Sequence, residues 1–379
     1  MNPVYLDCNA TSPMEDEVIQ IMRHYMTLEF GNAGSRTHEM GRQALKAVNN
    51  SRRIIADILD ADVSDVIFTS GATESSNIAI LGLEEFGIKE KKMHILSTPT
   101  EHKATLEPLE RLSQKGFEVE FIDVDSSGRI SVNQLKEMIR SDTLMISVIH
   151  ANNETGVLNP IADIANHLEA IDHQAVFHVD AAQSFGKILE PLKHQRIDLM
   201  SISSHKVYGP KGIGALLVRS RNYMRPPLVP LMVGGGQERG LRPGTLPVSL
   251  IAGFGQATEL AGKFSLERES ICKAIRESAV NAFKELDAEI NGDNTDTLLH
   301  TLNLSIPGVN SEAAMIVLKE TAYVSNGSAC TSANYSLSHV LQAMGLPEER
   351  IESAIRLSWC HLTPDIDWNL IIKKLSSLR

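Results

Sequence analysis

The sequence has only four cysteines in 379 residues, and no two of them have the CxxC spacing. Zinc-binding and thioredoxin-like motifs use that spacing, so both are disfavoured. No apolar run approaches the ~20 residues that a membrane helix needs, and the first residues lack the basic and apolar regions of a signal peptide. We therefore expect a cytoplasmic protein without a structural disulfide, a bound metal or a membrane contact.

The sequence is also poor in positive charge. Its 36 lysines and arginines are outnumbered by 47 aspartates and glutamates, which gives a formal net charge of -11 at pH 7. This charge disfavours direct binding to nucleic acid, but it suits a protein partner with a basic surface. The chain has 42% hydrophobic residues and no repeat or low-complexity linker, so we expect a globular protein of more than one domain.

Short apolar segments alternate with helix-period segments between residues 65 and 219, which is typical of an α/β fold. We expect a large domain, residues 15–255, with a mainly parallel seven-stranded sheet flanked by helices. Beyond residue 250 the pattern changes to a long helical region, 249–286, followed by mixed segments. We expect a smaller α+β domain there, made of residues 1–14 and 256–379. The predicted strands are 65–69, 94–97, 118–122, 144–149, 175–179, 199–203 and 214–218.

Lys206 follows the apolar strand 199–203, within the sequence SSHKVYGPKG at 203–212. Burial at the rim of a sheet can lower the pKa of its amine and make the amine a nucleophile. The chemistry that uses such a lysine is Schiff-base formation with a carbonyl, above all that of pyridoxal 5'-phosphate (PLP). The segment therefore points to a PLP enzyme.

Other polar residues occur at equivalent places along the chain. Thr73, His102, Asn153 and Asp180 each follow the end of a predicted strand, as Lys206 does. Ligands of open α/β sheets bind outside the carboxyl ends of the strands. Any one of these residues alone would more often be a cap or a turn. Together they predict a single site at this edge of the sheet.

The chemistry of these residues suits PLP. The segment 70–75 opens a helix, where the amides of Ala72 and Thr73 can bind a phosphate, with ordinary helix capping as the alternative. Asp180 needs a cation such as a pyridinium nitrogen if it is buried. His102 can stack on an aromatic ring and move protons, or it can be a hydrogen-bonded core histidine.

Further residues extend this site. Gln183 can reach a ring hydroxyl, and Ser203 and His205 can add phosphate contacts. Asn153 can orient the cofactor or a substrate carboxylate, unless it only forms a turn. Arg356 lies in an apolar, strand-like context where its guanidinium can clamp a carboxylate, with a surface salt bridge as the alternative.

Cys330 lies in the stretch SNGSACTSA at 325–333, whose small residues predict a flexible loop. A lysine of the PLP type together with a loop cysteine points to sulfur chemistry, because a thiolate that can move can carry sulfur. Cys272 falls in a helical pattern and is expected to be a packing residue. We expect Cys8 and Cys360 to pack as well, with a relay of sulfur as the alternative.

These segments together resemble the cysteine desulfurases of the NifS/IscS type, which belong to the class V aminotransferases, a group of fold-type I PLP enzymes. The resemblance covers nearly the whole chain and ends at Arg356. It rests on YLDCNAT at 5–11, GNAGS at 31–35, FTSGATES at 68–75, EHK at 101–103, NNE at 152–154, HVD at 178–180, the lysine segment and GTLP at 244–247.

The resemblance implies a role for each candidate residue. Lys206 would bind PLP covalently, Asp180 would pair with the ring nitrogen, Gln183 with the ring hydroxyl, and His102 would stack on the ring; Ala72, Thr73, Ser203 and His205 would bind the phosphate, and Thr245 would reach in from the other subunit of a homodimer. Arg356 and Asn153 would hold the carboxylate of L-cysteine. Cys330 would take the sulfur as a persulfide, leaving alanine, and a long mobile loop would carry it to an acceptor protein.

One segment departs from the family pattern. SWCHL at 358–362 stands where the housekeeping enzymes of iron–sulfur assembly are expected to have SLGRF. The chain therefore resembles a specialised member, such as the desulfurases that serve DNA phosphorothioate modification, although iron–sulfur assembly and thiolation stay open. A selenocysteine lyase or an aminotransferase of the same fold is the alternative enzyme. A sulfur-carrier subunit with a degenerate site is the alternative outside enzymes.

Overall fold

The structure is a computed structural model that describes residues 3–326 and 337–379. In this part of the chain the strands are β1 (Val4–Tyr5), β2 (Val66–Thr69), β3 (His94–Ser97), β4 (Glu118–Phe121), β5 (Thr143–Ile149), β6 (Val176–Asp180), β7 (Leu199–Ser203), β8 (Gly214–Val218), β9 (Glu289–Ile290), β10 (Thr301–Ser305), β11 (Ala322–Tyr323) and β12 (Ala354–Ser358).

The helices in the same part of the chain are α1 (Asp16–Thr27), α2 (Glu39–Ile58), α3 (Ala72–Leu81), α4 (Glu84–Glu90), α5 (Lys103–Ser113), α6 (Val132–Met138), α7 (Ile161–Ala170), α8 (Val248–Lys263), α9 (Ser265–Phe283), α10 (Ser311–Leu318), α11 (His339–Ala343), α12 (Glu348–Glu352) and α13 (Trp368–Ser376). None of the described helices combines the length and the apolar composition that crossing a lipid bilayer requires.

Seven strands form the large sheet, in the order β2-β8-β7-β6-β5-β3-β4. Strand β8 pairs antiparallel with β2 and with β7, and the other pairs in this sheet are parallel, so the six strands other than β8 point their carboxyl ends toward one edge. Runs such as β5 are buried along their whole length, because helices cover both faces of a parallel sheet. The predicted fold class is therefore confirmed.

The second core lies around smaller sheets. Strand β10 pairs antiparallel with β12 and β9, and β1 pairs in parallel with β11. A parallel bridge between Asp7 and Ser358 joins the N-terminal segment to β12. Helices α9, α10 and α13 pack around the buried Trp359. Residues 1–14 and 256–379 as a separate domain, with 15–255 as the large one, stay a prediction.

The predicted helical region 249–286 is helical in the structure, but it is divided. The helical region 249–286 is two helices that meet at Phe264, because α8 packs on α1 and α2 whereas α9 packs on α13. The two helices satisfy different packing partners, which local periodicity does not reveal.

Candidate active site

A cavity of about 560 Å³ opens at the carboxyl edge of the large sheet. Most of the predicted site residues line it: Ala72, Thr73, His102, Asn153, Asp180, Gln183, Ser203, His205, Lys206 and Arg356. Two predicted residues do not. Thr245 is exposed and lies outside the lining, and Cys330 falls outside the residues that the structure describes.

Lys206 ends a short 3-10 turn, Ser204–Lys206, that directly follows β7. Its Nζ donates hydrogen bonds to the main-chain carbonyl of Ala10 at 2.9 Å and to that of Asn9. The amine therefore rests against the N-terminal segment at the wall of the cavity. Two carbonyl acceptors hold it in one place, ready for a reaction partner within the cavity.

Asp180 is the last residue of β6 and is 3% exposed. Its Oδ1 accepts a hydrogen bond from the amide of Ala182 at 2.9 Å. Burial raises the pKa of this carboxyl to about 6, while the Ala182 amide and the Lys206 charge act in the opposite direction. A buried carboxylate of this kind favours a cation placed against it.

His102 caps the N-terminus of α5, because its Nδ1 accepts the amide of Ala104 at 3.1 Å. Burial, with the charges of Lys206 and His339, lowers the pKa of His102 to about 4. The ring is therefore neutral at physiological pH, and the capping bond leaves its proton on Nε2. This arrangement favours stacking and hydrogen-bond donation over proton uptake.

The N-terminus of α3 faces the same cavity. Gly71 precedes the helix and supplies no side-chain cap, which leaves the amides of Ala72 and Thr73 free of a capping side chain. Strand β8 pairs with β2 directly beside this turn, and a Cβ on Gly214 would approach Gly71 Cα to 2.7 Å. The close approach of the two backbones holds the turn, and the helix end attracts an anion.

Arg356 is not at the surface: it is 1% exposed, in β12. Its Nη2 donates to Asp7 Oδ1 at 2.6 Å, and its Nη1 donates to the main-chain carbonyl of Asn153 at 3.0 Å. Its Nε has no hydrogen-bond partner among the described residues. The surface salt bridge is excluded, and a donor is left for a further acceptor at the cavity.

Comparisons with known proteins identify the family. The model of the class V aminotransferases matches residues 4–366. The chain belongs to the class V aminotransferase family. This confirms the resemblance that was read from the sequence.

Among curated relatives, the cysteine desulfurase IscS of Vibrio campbellii is 42% identical over 376 residues, which cover 98% of this chain and 92% of the relative. The cysteine desulfurase IscS of Pasteurella multocida is also 42% identical, with the same coverage. Among solved structures, a NifS-like protein is 34% identical with a TM-score of 0.91, and 100% of this chain and 99% of that one are covered. DndA from Streptomyces lividans is 45% identical with a TM-score of 0.82, and 94% and 99% are covered.

The class V aminotransferases and cysteine desulfurases depend on PLP. The cavity residues fit that cofactor. The helix end at Ala72 suits its phosphate, the buried Asp180 suits its ring nitrogen, and the neutral His102 suits its ring face. Gln183 Oε1 and Asn153 Oδ1 are buried without a hydrogen-bond partner among the described residues, so both have capacity for a polar ligand.

The sequence analysis missed the part played by the N-terminal segment. Asn9, Ala10 and Thr11 line the cavity, the carbonyl of Asn9 also accepts a hydrogen bond from Gln183 Nε2 at 3.0 Å, and Asp7 holds Arg356. The only signal was that these residues belong to YLDCNAT, one of the segments that carry the family resemblance. No local pattern links them to residues 349 positions away.

Proposed function

We infer that the protein is a PLP-dependent cysteine desulfurase, which converts L-cysteine to L-alanine and passes the sulfur to an acceptor protein. The observation that carries this inference is that Lys206 and Asp180 line one cavity together with the N-terminus of α3, where a phosphate can bind. The family match and the IscS relatives support the same activity.

We assign roles as follows. Lys206 holds the cofactor covalently and Asp180 pairs with its ring nitrogen, which keeps the ring protonated. Gln183 hydrogen-bonds the ring hydroxyl, and His102 stacks on the ring. The phosphate contacts come from Ala72, Thr73, Ser203 and His205. When bound, PLP supplies an electron sink that stabilises negative charge on the amino acid's carbon atoms.

Arg356 and Asn153 bind the carboxylate of L-cysteine in this proposal. The Arg356 guanidinium is already oriented by Asp7 and by the Asn153 carbonyl, so little side-chain freedom is lost on binding. The Arg356 Nε and the side-chain amide nitrogen of Asn153 can then both donate to the substrate carboxylate, whose oxygens only accept. Burial excludes water, which strengthens this charge-assisted contact.

We assign sulfur capture to Cys330. Its thiolate attacks the sulfur of the substrate, the bond between that sulfur and the substrate Cβ breaks, and Cβ takes a proton. L-cysteine and the Cys330 thiol thus become L-alanine and a Cys330 persulfide, with no outside oxidant. The acceptor protein then takes the terminal sulfur by attack of its own nucleophile.

Release of alanine and sulfide from L-cysteine, with a thiol reductant, tests this function. We expect equal amounts from the parent protein and little from Lys206→Ala or Cys330→Ser. Cys272→Ser is the matched control, because Cys272 packs in the core of α9 outside the active-site cavity. Full sulfide release by Cys330→Ser would favour a lyase, and loss of activity in the control alone would contradict the assignment of Cys330.

We propose that the working unit is a homodimer in which Thr245 completes the partner's cavity. Thr245 does not line the cavity of its own chain. Upstream of it, the consecutive apolar side chains of residues 231–233 are exposed, and Val233 is 89% exposed. Co-expression of Lys206→Ala and Thr245→Asp chains tests this. Restored activity is expected, because one of the two cavities would then have both native residues. If co-expression does not restore activity, the proposal that Thr245 completes the partner's cavity is contradicted.

The last part of the proposal concerns which protein accepts the sulfur. DndA at 45% identity and the IscS proteins at 42% are similarly related to this chain, so identity alone does not select a pathway. The departure at residues 358–362 favours a specialised acceptor, as in DNA phosphorothioation. The test offers radiolabelled L-cysteine and the enzyme to a purified phosphorothioation protein and, separately, to an iron–sulfur scaffold protein. The radiolabelled sulfur that each protein takes up is then compared. Labelling of the scaffold alone would refute it.

A further inference from the structure

Two of the three described cysteines meet in one place outside the lining of the active-site cavity, and the third lies nearby. Cys8 and Cys360 pack against each other and against Tyr208, and are 4% and 1% exposed. Cys272, which belongs to α9, lies near Cys360. Such a cluster is notable because the chain has four cysteines in all.

The backbone holds Cys8 and Cys360 in fixed positions. The amide of Cys8 donates to the carbonyl of Ser358 at 3.1 Å, next to the bridge between Asp7 and Ser358. Beyond Ser358 the chain turns, with the amide of Thr363 bonded to the Cys360 carbonyl at 3.0 Å and the Cys360 amide bonded to Thr363 Oγ1 at 2.9 Å. Both thiols therefore sit on rigid, adjacent segments.

The surroundings favour a thiolate on Cys360. A hydrogen bond from Cys8 lowers the pKa of Cys360 to about 7 against the opposing effect of burial, helped by the Leu362 amide, the Thr363 hydroxyl and the Lys187 charge. The same hydrogen bond and burial raise the pKa of Cys8. One thiol thus acts as a nucleophile while the other keeps its proton.

Lys187 is the cation of this cluster. Its Nζ lies 3.1 Å from Nε2 of His300, and burial lowers the pKa of Lys187 to about 8. Burial, with the Lys187 and Arg276 charges, lowers the pKa of His300 well below its ordinary value, so the ring is a neutral acceptor. Asp7 is the negative group that faces Cys8.

A cavity of about 480 Å³ lies beside this cluster, separated from the Cys8 and Cys360 thiols by residues that line it. Lys187, Tyr208, Cys272 and His300 line it, and Tyr208 is also in contact with the pair. A molecule as small as hydrogen peroxide can enter such a space. Neither the cavity nor the thiols have a part in the active site described above.

We propose that Cys8 and Cys360 are a dithiol that a hydroperoxide oxidises reversibly to a disulfide. The Cys360 sulfur attacks a peroxide oxygen, the O–O bond breaks and Cys360 becomes a sulfenic acid, with the released hydroxide protonated to water. The Cys8 sulfur then attacks the Cys360 sulfur and water leaves. Two thiols lose two electrons, and one hydrogen peroxide becomes two waters. Thiol reductants reverse the change.

The test uses the PLP-loaded Cys330→Ser protein, in which the described cysteines are the only thiols left. After peroxide treatment, alkylation of free thiols and digestion, mass spectrometry under non-reducing conditions should find a peptide pair that links Cys8 to Cys360. The pair should disappear with a reductant and in Cys8→Ser. It should persist in Cys272→Ser, the matched control.

A second measurement does not depend on any of these substitutions. The cross-link would join residues near the two ends of the chain, so the midpoint of thermal unfolding of the oxidised protein should rise and return on reduction. The proposal is refuted if Cys8 and Cys360 are still alkylated after treatment that oxidises Cys330 of the parent. A disulfide to Cys272 instead would refute the pairing.

Discussion

Replacement of Arg356 by lysine keeps the charge of this side chain but not its geometry. The guanidinium of Arg356 serves Asp7 and the Asn153 carbonyl with separate nitrogens, and its Nε is left for a substrate acceptor. A lysine has one ammonium on a flexible stem and cannot reach all three places at once. The part-buried Asp7 carboxylate should hold that ammonium, so the substrate carboxylate loses its partner.

The size of the effect follows from the bond that is lost. A hydrogen bond to a charged group contributes about 1.5–3 kcal/mol, and each ~1.4 kcal/mol is tenfold in an equilibrium constant. We therefore expect Arg356→Lys to raise KM for L-cysteine by about 10- to 100-fold with little change in kcat, since the contact forms on binding. Steady-state alanine release gives both constants.

Arg350→Lys is the matched control. Arg350 also makes several contacts in the same region, donating to Asn291 Oδ1 at 2.8 Å and to the Ile290 carbonyl at 2.9 Å, but it does not line the cavity. The KM of Arg350→Lys for L-cysteine should equal that of the parent protein. An unchanged KM in Arg356→Lys, or an equal rise in both variants, would refute the assignment of Arg356 to the carboxylate.

Three further predictions concern the cofactor, the phosphate turn and pH. Lys206→Arg should keep the charge but lose the covalent bond to PLP, seen as absent pyridoxyl absorbance after borohydride reduction, denaturation and gel filtration, a treatment that should leave the parent labelled; a labelled variant would contradict the role of Lys206. Gly214→Ala should lower stability by about 1–3 kcal/mol and weaken PLP binding in a titration, because its Cβ would press on Gly71; unchanged binding would count against this turn. His178, held between Ser147 and Ser201, has a pKa lowered by burial from 6.5 to about 3. The unfolded chain therefore binds a proton that the folded chain excludes, and stability falls between those pH values as pH decreases. The thermal stability of His178→Asn should fall less than that of the parent over this pH range; an equal fall would refute the contribution of His178.

Much of the site could be predicted because its residues follow strands. Thr73, His102, Asn153, Asp180 and Lys206 each come just after an apolar segment, and parallel strands bring such positions to one edge. The strands themselves were recognisable because all of them except β4 are short buried runs between helix-period segments. The break at Phe264 could not be predicted, since it depends on which core each helix packs against.

The sequence by itself determined the α/β class, the seven strands and the family, because these depend on local periodicity and on motifs in order, and it predicted Lys206 as the lysine that binds PLP. Only the tertiary structure decided that Asp7 orients Arg356, that Asn9 and Ala10 hold Lys206, and that Cys8 meets Cys360. These contacts join residues roughly 200 to 350 positions apart. Their formation depends on how strands and helices pack, and no local pattern in the chain records that packing.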